Sequence, residues 1–253
     1  CKAAGCGDGY LQEGVEACDD GNLVNEDACT EVCQLATCGD GIIQAGVEEC
    51  DDKNEVNADM CSLQCHDTPV ALTLTAGGET ATYGGDGGDP FDDSCPQGQA
   101  LIGFSGKLDG NNWHGNVAGI CGTLALDVEG DAFVIAVSEA ASLPLRGAAN
   151  QNGQGWSRYC PAGEVVVGFS GRNGWYIDQL TFYCAAPQIA EDGDGFFVSL
   201  GAAAPLAAIG GPGGDPFPET YCPMGQIATR QRGRASNDLD RFGLGCANIN
   251  LLY

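Results

Sequence analysis

The sequence predicts an all-β protein in two parts: an acidic arm of small disulfide-rich repeats, then a domain of three roughly four-stranded sheets about a pseudo-three-fold axis. Three observations lead there. Fifteen cysteines recur at regular spacings. The chain repeats itself first every 32 residues and then about every sixty. Forty glycines fall without a collagen period, and long amphipathic helical patterns are missing.

So many cysteines do not fit a reducing cytosol, which places the chain in an extracellular or cell-surface setting. No run of eighteen or more apolar residues occurs, and no charged segment leads into an apolar one at the start. The chain reads as a mature, secreted, soluble form without membrane insertion. Thirty-five acidic against ten basic residues give a formal charge of -25. That charge repels phosphate backbones and anionic lipid surfaces, so nucleic acid and membranes are not expected partners. It suits high solubility or the binding of cations such as calcium.

The first part spans residues 1–67. A shift of 32 residues lays Cys6-Gly7-Asp8-Gly9 on Cys38-Gly39-Asp40-Gly41, and Cys18-Asp19-Asp20 on Cys50-Asp51-Asp52. Cys29 and Cys33 fall on Cys61 and Cys65, and Glu16, Asn22, Asn25 and Asp27 on Glu48, Asn54, Asn57 and Asp59. The units run over 6–37 and 38–67. Each has too few large apolar residues for a core, so disulfides must hold it. Four cysteines allow three pairings, and the sequence does not choose among them. Cys1 stands as far from Cys6 as Cys33 from Cys38, so it reads as the last cysteine of an upstream repeat; the rival reading is an acylated first residue. Self-assembly through the repeats or Cys1 is a further expectation.

The pattern Cys-Gly-Asp-Gly, Glu-x-Cys-Asp-Asp-Gly-Asn, Asp-x-Cys-x-x-x-Cys resembles cysteine-rich repeats found in tandem in secreted myxobacterial proteins. The resemblance covers residues 1–65 and implies a bacterial extracellular stalk or spacer. Lys53 departs from it where the first unit has Gly21, and is expected to alter that turn. Calcium is the candidate cofactor. Its candidate ligands are Asp8, Asp19, Asp20, Asn22 and Asp27, with Asp40, Asp51, Asp52, Asn54 and Asp59 in the second unit, because hard cations need oxygen cages. The competing reading is that Asp, Asn and Gly simply turn the chain tightly.

The second part spans residues 68–253. Apolar alternation begins at Val70-Ala71-Leu72-Thr73-Leu74. Three related segments follow, opening on Cys95-Pro96-Gln97-Gly98, Cys160-Pro161-Ala162-Gly163 and Cys222-Pro223-Met224-Gly225 and closing on Cys121, Cys184 and Cys246. Hairpins turning near residues 172 and 234, with a longer turn in the first segment, would set Cys160 opposite Cys184, Cys222 opposite Cys246 and Cys95 opposite Cys121. A glycine-rich turn precedes each hairpin: 84–91, the degraded 152–156, and 210–217. Apolar strands such as Phe133–Val137 and Phe196–Leu200 precede the turns. One such sheet cannot bury its face alone, and three closing on each other can.

The stretch Val167 to Tyr183 resembles the closing hairpin of jacalin-related lectins, and the Gly-Gly-x-Gly-Gly turn at Gly84 resembles that family's opening turn. The Cys-Pro-x-Gly segments are more similar to vitelline membrane outer layer protein. Both families imply a β-prism, and the likeness is close over 160–184 and loose over 70–253. The lectin resemblance implies a sugar loop, Gly-x-x-x-Asp, at Gly174–Asp178. Asp178 would accept hydrogen bonds from vicinal hydroxyls, Trp175 and Tyr176 would supply an aromatic surface, and the turn Gly210, Gly211, Gly213, Gly214 would complete the pocket. In the third segment Asp240 aligns with Asp178, with Asp238 beside it, while Ser236 replaces Gly174; this is the weaker site. In the first segment Gly115 occupies the carboxylate position.

Catalysis is not expected. The two histidines, His66 and His114, assemble neither a triad nor a metal cluster and read as ordinary surface residues. The expected function is carbohydrate recognition in adhesion, with a glycan or glycoconjugate as partner. The alternative is a structural subunit of a surface filament, coat or stalk.

Overall fold

The computed structural model describes residues 5–253, so the expectations for Cys1 lie outside the described residues. The two cysteine-rich units contain no extended strand and follow the same plan. In each, the first cysteine bonds the fourth and the second bonds the third: Cys6–Cys33 around Cys18–Cys29, and Cys38–Cys65 around Cys50–Cys61. One carboxylate organises each unit. Asp19 accepts the backbone N–H of Gly7, Asp8, Gly9 and Gly21, and Asp51 accepts those of Gly39, Asp40, Gly41 and Lys53 at 2.8–3.1 Å. Lys53 does not alter its turn: it takes the left-handed conformation, φ 65°, that Gly21 holds at φ 85°.

The remainder is strand. The first stretch runs β1 (Ala71–Glu79), β2 (Tyr83–Gly84), β3 (Asp89–Ser94), β4 (Gln99–Leu108) and β5 (His114–Glu129). Next come β6 (Ala132–Ser142), β7 (Arg146–Gly147), β8 (Gly155–Tyr159), β9 (Val165–Asn173), β10 (Ile177–Ala185) and β11 (Pro187–Asp192). The last are β12 (Gly195–Leu200), β13 (Ala204–Pro205), β14 (Ile209–Gly210), β15 (Asp215–Tyr221), β16 (Gln226–Ala235) and β17 (Leu239–Leu252).

These strands form three antiparallel sheets in the orders β6-β5-β4-β8, β13-β10-β9-β15 and β1-β17-β16-β3; the short β7, β14 and β2 pair with β5, β10 and β17. β11 and β12 form a separate ribbon. Each sheet is built on one hairpin, and its edge strand comes from another segment: β8 joins β4, β15 joins β9, and β3 joins β16. The third sheet closes the ring by pairing Ala71 with Leu252. The fold is a β-prism.

Where the three sheets meet, Phe104, Phe169, Phe182 and Phe242 are fully buried. Phe104 stacks on Phe182 with centroids 4.2 Å apart, and Phe242 meets Phe104 and Phe169 edge-on at 5.5 and 5.2 Å. Such pairs add roughly 0.5–1.5 kcal/mol each to ordinary apolar burial. Two of these rings come from a repeated tetrapeptide, Gly103-Phe104-Ser105-Gly106 and Gly168-Phe169-Ser170-Gly171.

The three cystines join the predicted partners, Cys95–Cys121, Cys160–Cys184 and Cys222–Cys246, but by a different geometry. The hairpin turn lies at 174–176, so the residue opposite Cys184 is Val166, not Cys160. Cys160 directly follows β8, and its N–H donates to Ile102 of the first sheet, while Cys184 belongs to the second. Cys95 and Cys222 likewise follow β3 and β15, edge strands of the sheets that precede their partners in the ring. Each cystine therefore ties two sheets together at a corner. The Pro-x-Gly after each cysteine turns that corner: Gly98, Gly163 and Gly225 all have φ near 75–79° inside a turn closed by a hydrogen bond to the proline carbonyl.

Both histidines depart from the surface role expected of them. His114 is fully buried; its Nε2 lies 3.0 Å from the Ile209 carbonyl of the second sheet, and burial pushes its pKa down to about 4 despite that bond. His66 packs at the junction of the two parts, its Nδ1 3.0 Å from the Glu191 carboxylate, which also accepts the Ser62 hydroxyl. Asp131 completes the junction by accepting the N–H of Asn57 and Ala58.

Candidate functional site

At one end of the prism the three hairpin tips converge. In the second sheet the tip is closed by the Gly174 N–H donating to the Tyr176 carbonyl, and in the third the Ser236 N–H donates to the Asp238 carbonyl, both at 3.0 Å. Beside each tip runs a glycine-rich turn in the same register: Gly210 opposite Gln179, and Gly84 opposite Arg241. Backbone crowding explains the glycines. Gly84 and Gly210 have φ of 120° and 107°, and a Cβ there would stand 2.1 and 2.0 Å from the carbonyl oxygens of Asp240 and Asp178.

The two carboxylates are cradled alike. A Cβ on Gly213 or Gly214 would lie 2.3 or 2.5 Å from an Asp178 oxygen, and one on Gly87 or Gly88 would lie 2.2 or 2.6 Å from an Asp240 oxygen. Two arginines fix the cradles. Arg172 donates to the Gly213 and Gly214 carbonyls at 2.9 and 2.7 Å, and Arg234 donates to those of Gly87 and Gly88 at 2.8 and 2.7 Å. Sequence reasoning missed both, although the pairs Gly171-Arg172 and Gly233-Arg234 were there to be seen.

The open cleft, about 730 Å³, does not lie between Gly174–Asp178 and Gly210–Gly214 alone. It spans two segments, with Gly174, Trp175, Tyr176, Asp178 and Gly214 on one side and Gly85, Asp86, Gly87 and Asp240 on the other; Trp113 completes it. Each tip leans over the next segment's turn. The Gly211 N–H is taken by the carbonyls of Asn112 and Asp178, each at 2.9 Å, so Gly210 and Gly211 face the neighbouring tip instead of the cleft. The backbone of Trp175 in turn crowds Gly85.

Asp178 is only 6% exposed and Asp240 4%. Burial pushes the Asp178 carboxyl above its ordinary pKa, partly offset by the Gly174 N–H and the Arg172 charge. Asp240 accepts the Ser236 hydroxyl at 3.2 Å. Asp238 lies outside the cleft; burial, then the charge of Asp109 and to a lesser degree that of Asp240, push its pKa up against a hydrogen bond from Gln151. Tyr176 stacks on Trp113 with centroids 5.1 Å apart, while Trp175, 86% exposed, forms a free aromatic rim. The third potential site is shut. Asn116 pairs with Gly147 as Gln179 pairs with Gly210, which makes Gly115 the counterpart of Asp178, and the Gln151 side chain packs against it.

The ten candidate calcium ligands are largely engaged in their own turns. Besides Asp19 and Asp51, Asp8 and Asp40 accept Tyr10 and Ile42 N–H, Asn22 and Asn54 accept Val24 and Val56 N–H, and Asp20 accepts Asn22 N–H. Asp27 and Asp59 accept the side-chain amides of Asn22 and Asn54, and Asp52 neighbours Asp59. Among the described residues, the ligand-sized groups are Glu16, Asp19, Cys33 and Glu48, Asp51, Cys65, whose sulfurs are in disulfides.

Residues 35–66 match the family described as a domain of unknown function, DUF4215. No curated protein matches the chain. Among solved structures it is similar to a mannose-binding lectin from champedak, at 16% identity over 68% of this chain and 98% of that one, TM-score 0.45. It is also similar to Calystegia sepium agglutinin (14%, 69% and 95%, 0.43) and to frutapin, a lectin from Artocarpus incisa (17%, 68% and 99%, 0.42).

Proposed function

We propose that this chain is an extracellular carbohydrate-binding protein that acts in adhesion, with the cleft between Asp178 and Asp240 as its glycan site and the cysteine-rich units as its stalk. The observation that carries the reading is the paired cradle. Two segments independently hold a carboxylate against glycine backbone, and both open into one cleft with a free aromatic rim. Carboxylates accept from vicinal hydroxyls, close glycine backbone admits a sugar edge, and aromatic faces cover the apolar side of a pyranose ring. Seven cystines suit an oxidising, extracellular setting.

A glycan array probed with the full chain and with Asp178→Ala tests this. Retention of defined glycans by the native chain, reduced at least tenfold by the substitution, is expected. If no glycan is retained and the substitution leaves any assembly of the protein unchanged, the carbohydrate reading fails, and a structural role in a surface filament or coat takes its place.

A further inference from the structure

The cleft is richer in negative charge than recognition of neutral hydroxyls requires. Its lining holds three carboxylates, Asp86, Asp178 and Asp240, and three aromatic side chains, Trp113, Trp175 and Tyr176, with no Lys, Arg or His. Asp86 is paired with Arg241. Asp178 and Asp240 form no ion pair among the described residues. Arg172 and Arg234 donate their hydrogen bonds to the turn carbonyls and not to these carboxylates, and the Arg172 charge reaches Asp178 only at a distance.

Asp178 and Asp240, each more than nine-tenths buried, line one cleft whose walls carry no cationic side chain. A ligand that brings positive charge would find three carboxylates and two indole faces in one cleft, and indole faces attract cations. The net charge of -25 favours the approach of such a ligand over long range.

Resting on the carbohydrate reading above, we infer that the ligand is a saccharide bearing a free, protonated amine, such as an oligomer of de-N-acetylated amino sugar. Its ammonium engages Asp178 and Asp240, and its ring lies against the Trp113–Tyr176 stack. A cleft of about 730 Å³ is of the size that holds compact ligands, roughly 300–1,000 Å³.

The test is calorimetric titration of the full chain with three tetrasaccharides of one β-1,4 backbone, carrying at carbon 2 a free amine, an N-acetyl group or a hydroxyl. The amine form is expected to bind at least tenfold more tightly than the other two, and its affinity should fall as salt rises. Asp178→Asn and Asp240→Asn, which keep shape and remove charge, should each weaken it at least tenfold. Should either fail to fold, Trp175→Ala on the exposed rim gives the readout, with binding weakened several-fold. Equal or tighter binding of the N-acetyl or hydroxyl form overturns the amine inference and leaves the carbohydrate reading standing. Lysine amide binding as tightly as the amino-tetrasaccharide also overturns it, because the sugar would then add nothing. Absence of any saccharide binding, here and on the array, removes both readings.

Discussion

Gln151 stands in the space that Gly115 leaves open: a Cβ on Gly115 would lie 2.4 Å from the Gln151 Cδ, and the Gln151 Nε2 donates to the Gly115 carbonyl at 3.2 Å. The first segment thus has glycine at the carboxylate position and the Gln151 side chain in the space beside it. Gly115→Asp alone should destabilise the protein by about 1–3 kcal/mol through overpacking. Combined with Gln151→Gly, most of that loss should return, and the two changes should be non-additive in urea denaturation. Simple additivity would show that Gln151 is not what closes the site.

Gly214 and Gly163 separate backbone strain from crowding. Both have positive φ, 61° and 79°, but a Cβ on Gly163 meets nothing within 4 Å, whereas one on Gly214 would press on Asn173 and the Asp178 carboxylate. Gly163→Ala should cost only about 1–2 kcal/mol for the left-handed backbone. Gly214→Ala should cost more and weaken glycan binding as well. Comparable losses in chemical denaturation, with binding intact, would contradict the cradle.

The raised carboxyl of Asp178 fixes a sign for pH dependence. Burial favours the protonated form in the folded protein, so this group's contribution to stability is fully present below its unfolded pKa of 3.8 and is lost as pH rises through the higher folded value. Asp178→Asn should therefore gain melting temperature relative to the native chain as pH is raised across that window. A difference that stays constant with pH would rule out the shift.

Asp19 and Asp51 hold their units together through backbone donors. Burial pushes the Asp19 carboxyl up, yet four N–H donors outweigh it and leave its pKa below the ordinary value. Asp19→Ala and Asp51→Ala should make the adjoining cystines easier to reduce with dithiothreitol, in the presence or absence of a calcium chelator. A chelator that reproduces the effect on the native chain would assign the organising role to calcium instead.

Lys53 bears a conformational cost that its counterpart Gly21 avoids. Lys53→Gly should stabilise the second unit by about 1 kcal/mol, set by the left-handed penalty less the added freedom of the unfolded chain. Hydrogen-exchange protection of amides 50–56 is the appropriate measurement. Unchanged protection would mean that neighbouring contacts already offset the strain.

Periodicity carried the all-β class, the three sheets and the cystine partners, because each repeated motif reports a local need: Pro-x-Gly for a corner, paired glycines where a carbonyl comes within 2.1 Å of a Cβ position. Which sheet each strand enters was not legible. Cys160 and Cys184 belong to different sheets, and this depends on strand exchange around the ring, a long-range property that spacing along one hairpin cannot express. The site was legible to the same degree. Asp178 and Asp240 followed from their motifs, but their opening into one cleft with Trp113 depends on how neighbouring tips lean. His114 misled because a lone polar residue in a turn-rich stretch gives no sign that another sheet will cover it.

Pairing of Ala71 with Leu252 bears on the order in which this fold can be assembled. A ribosome delivers β1 and β3 long before β16 and β17, and until those partners emerge the first segment exposes unpaired strand edges. The prism is thus completed only once β17 has been delivered. Each corner cystine can form only once both of the sheets that it joins are present, so the seal on the ring comes last.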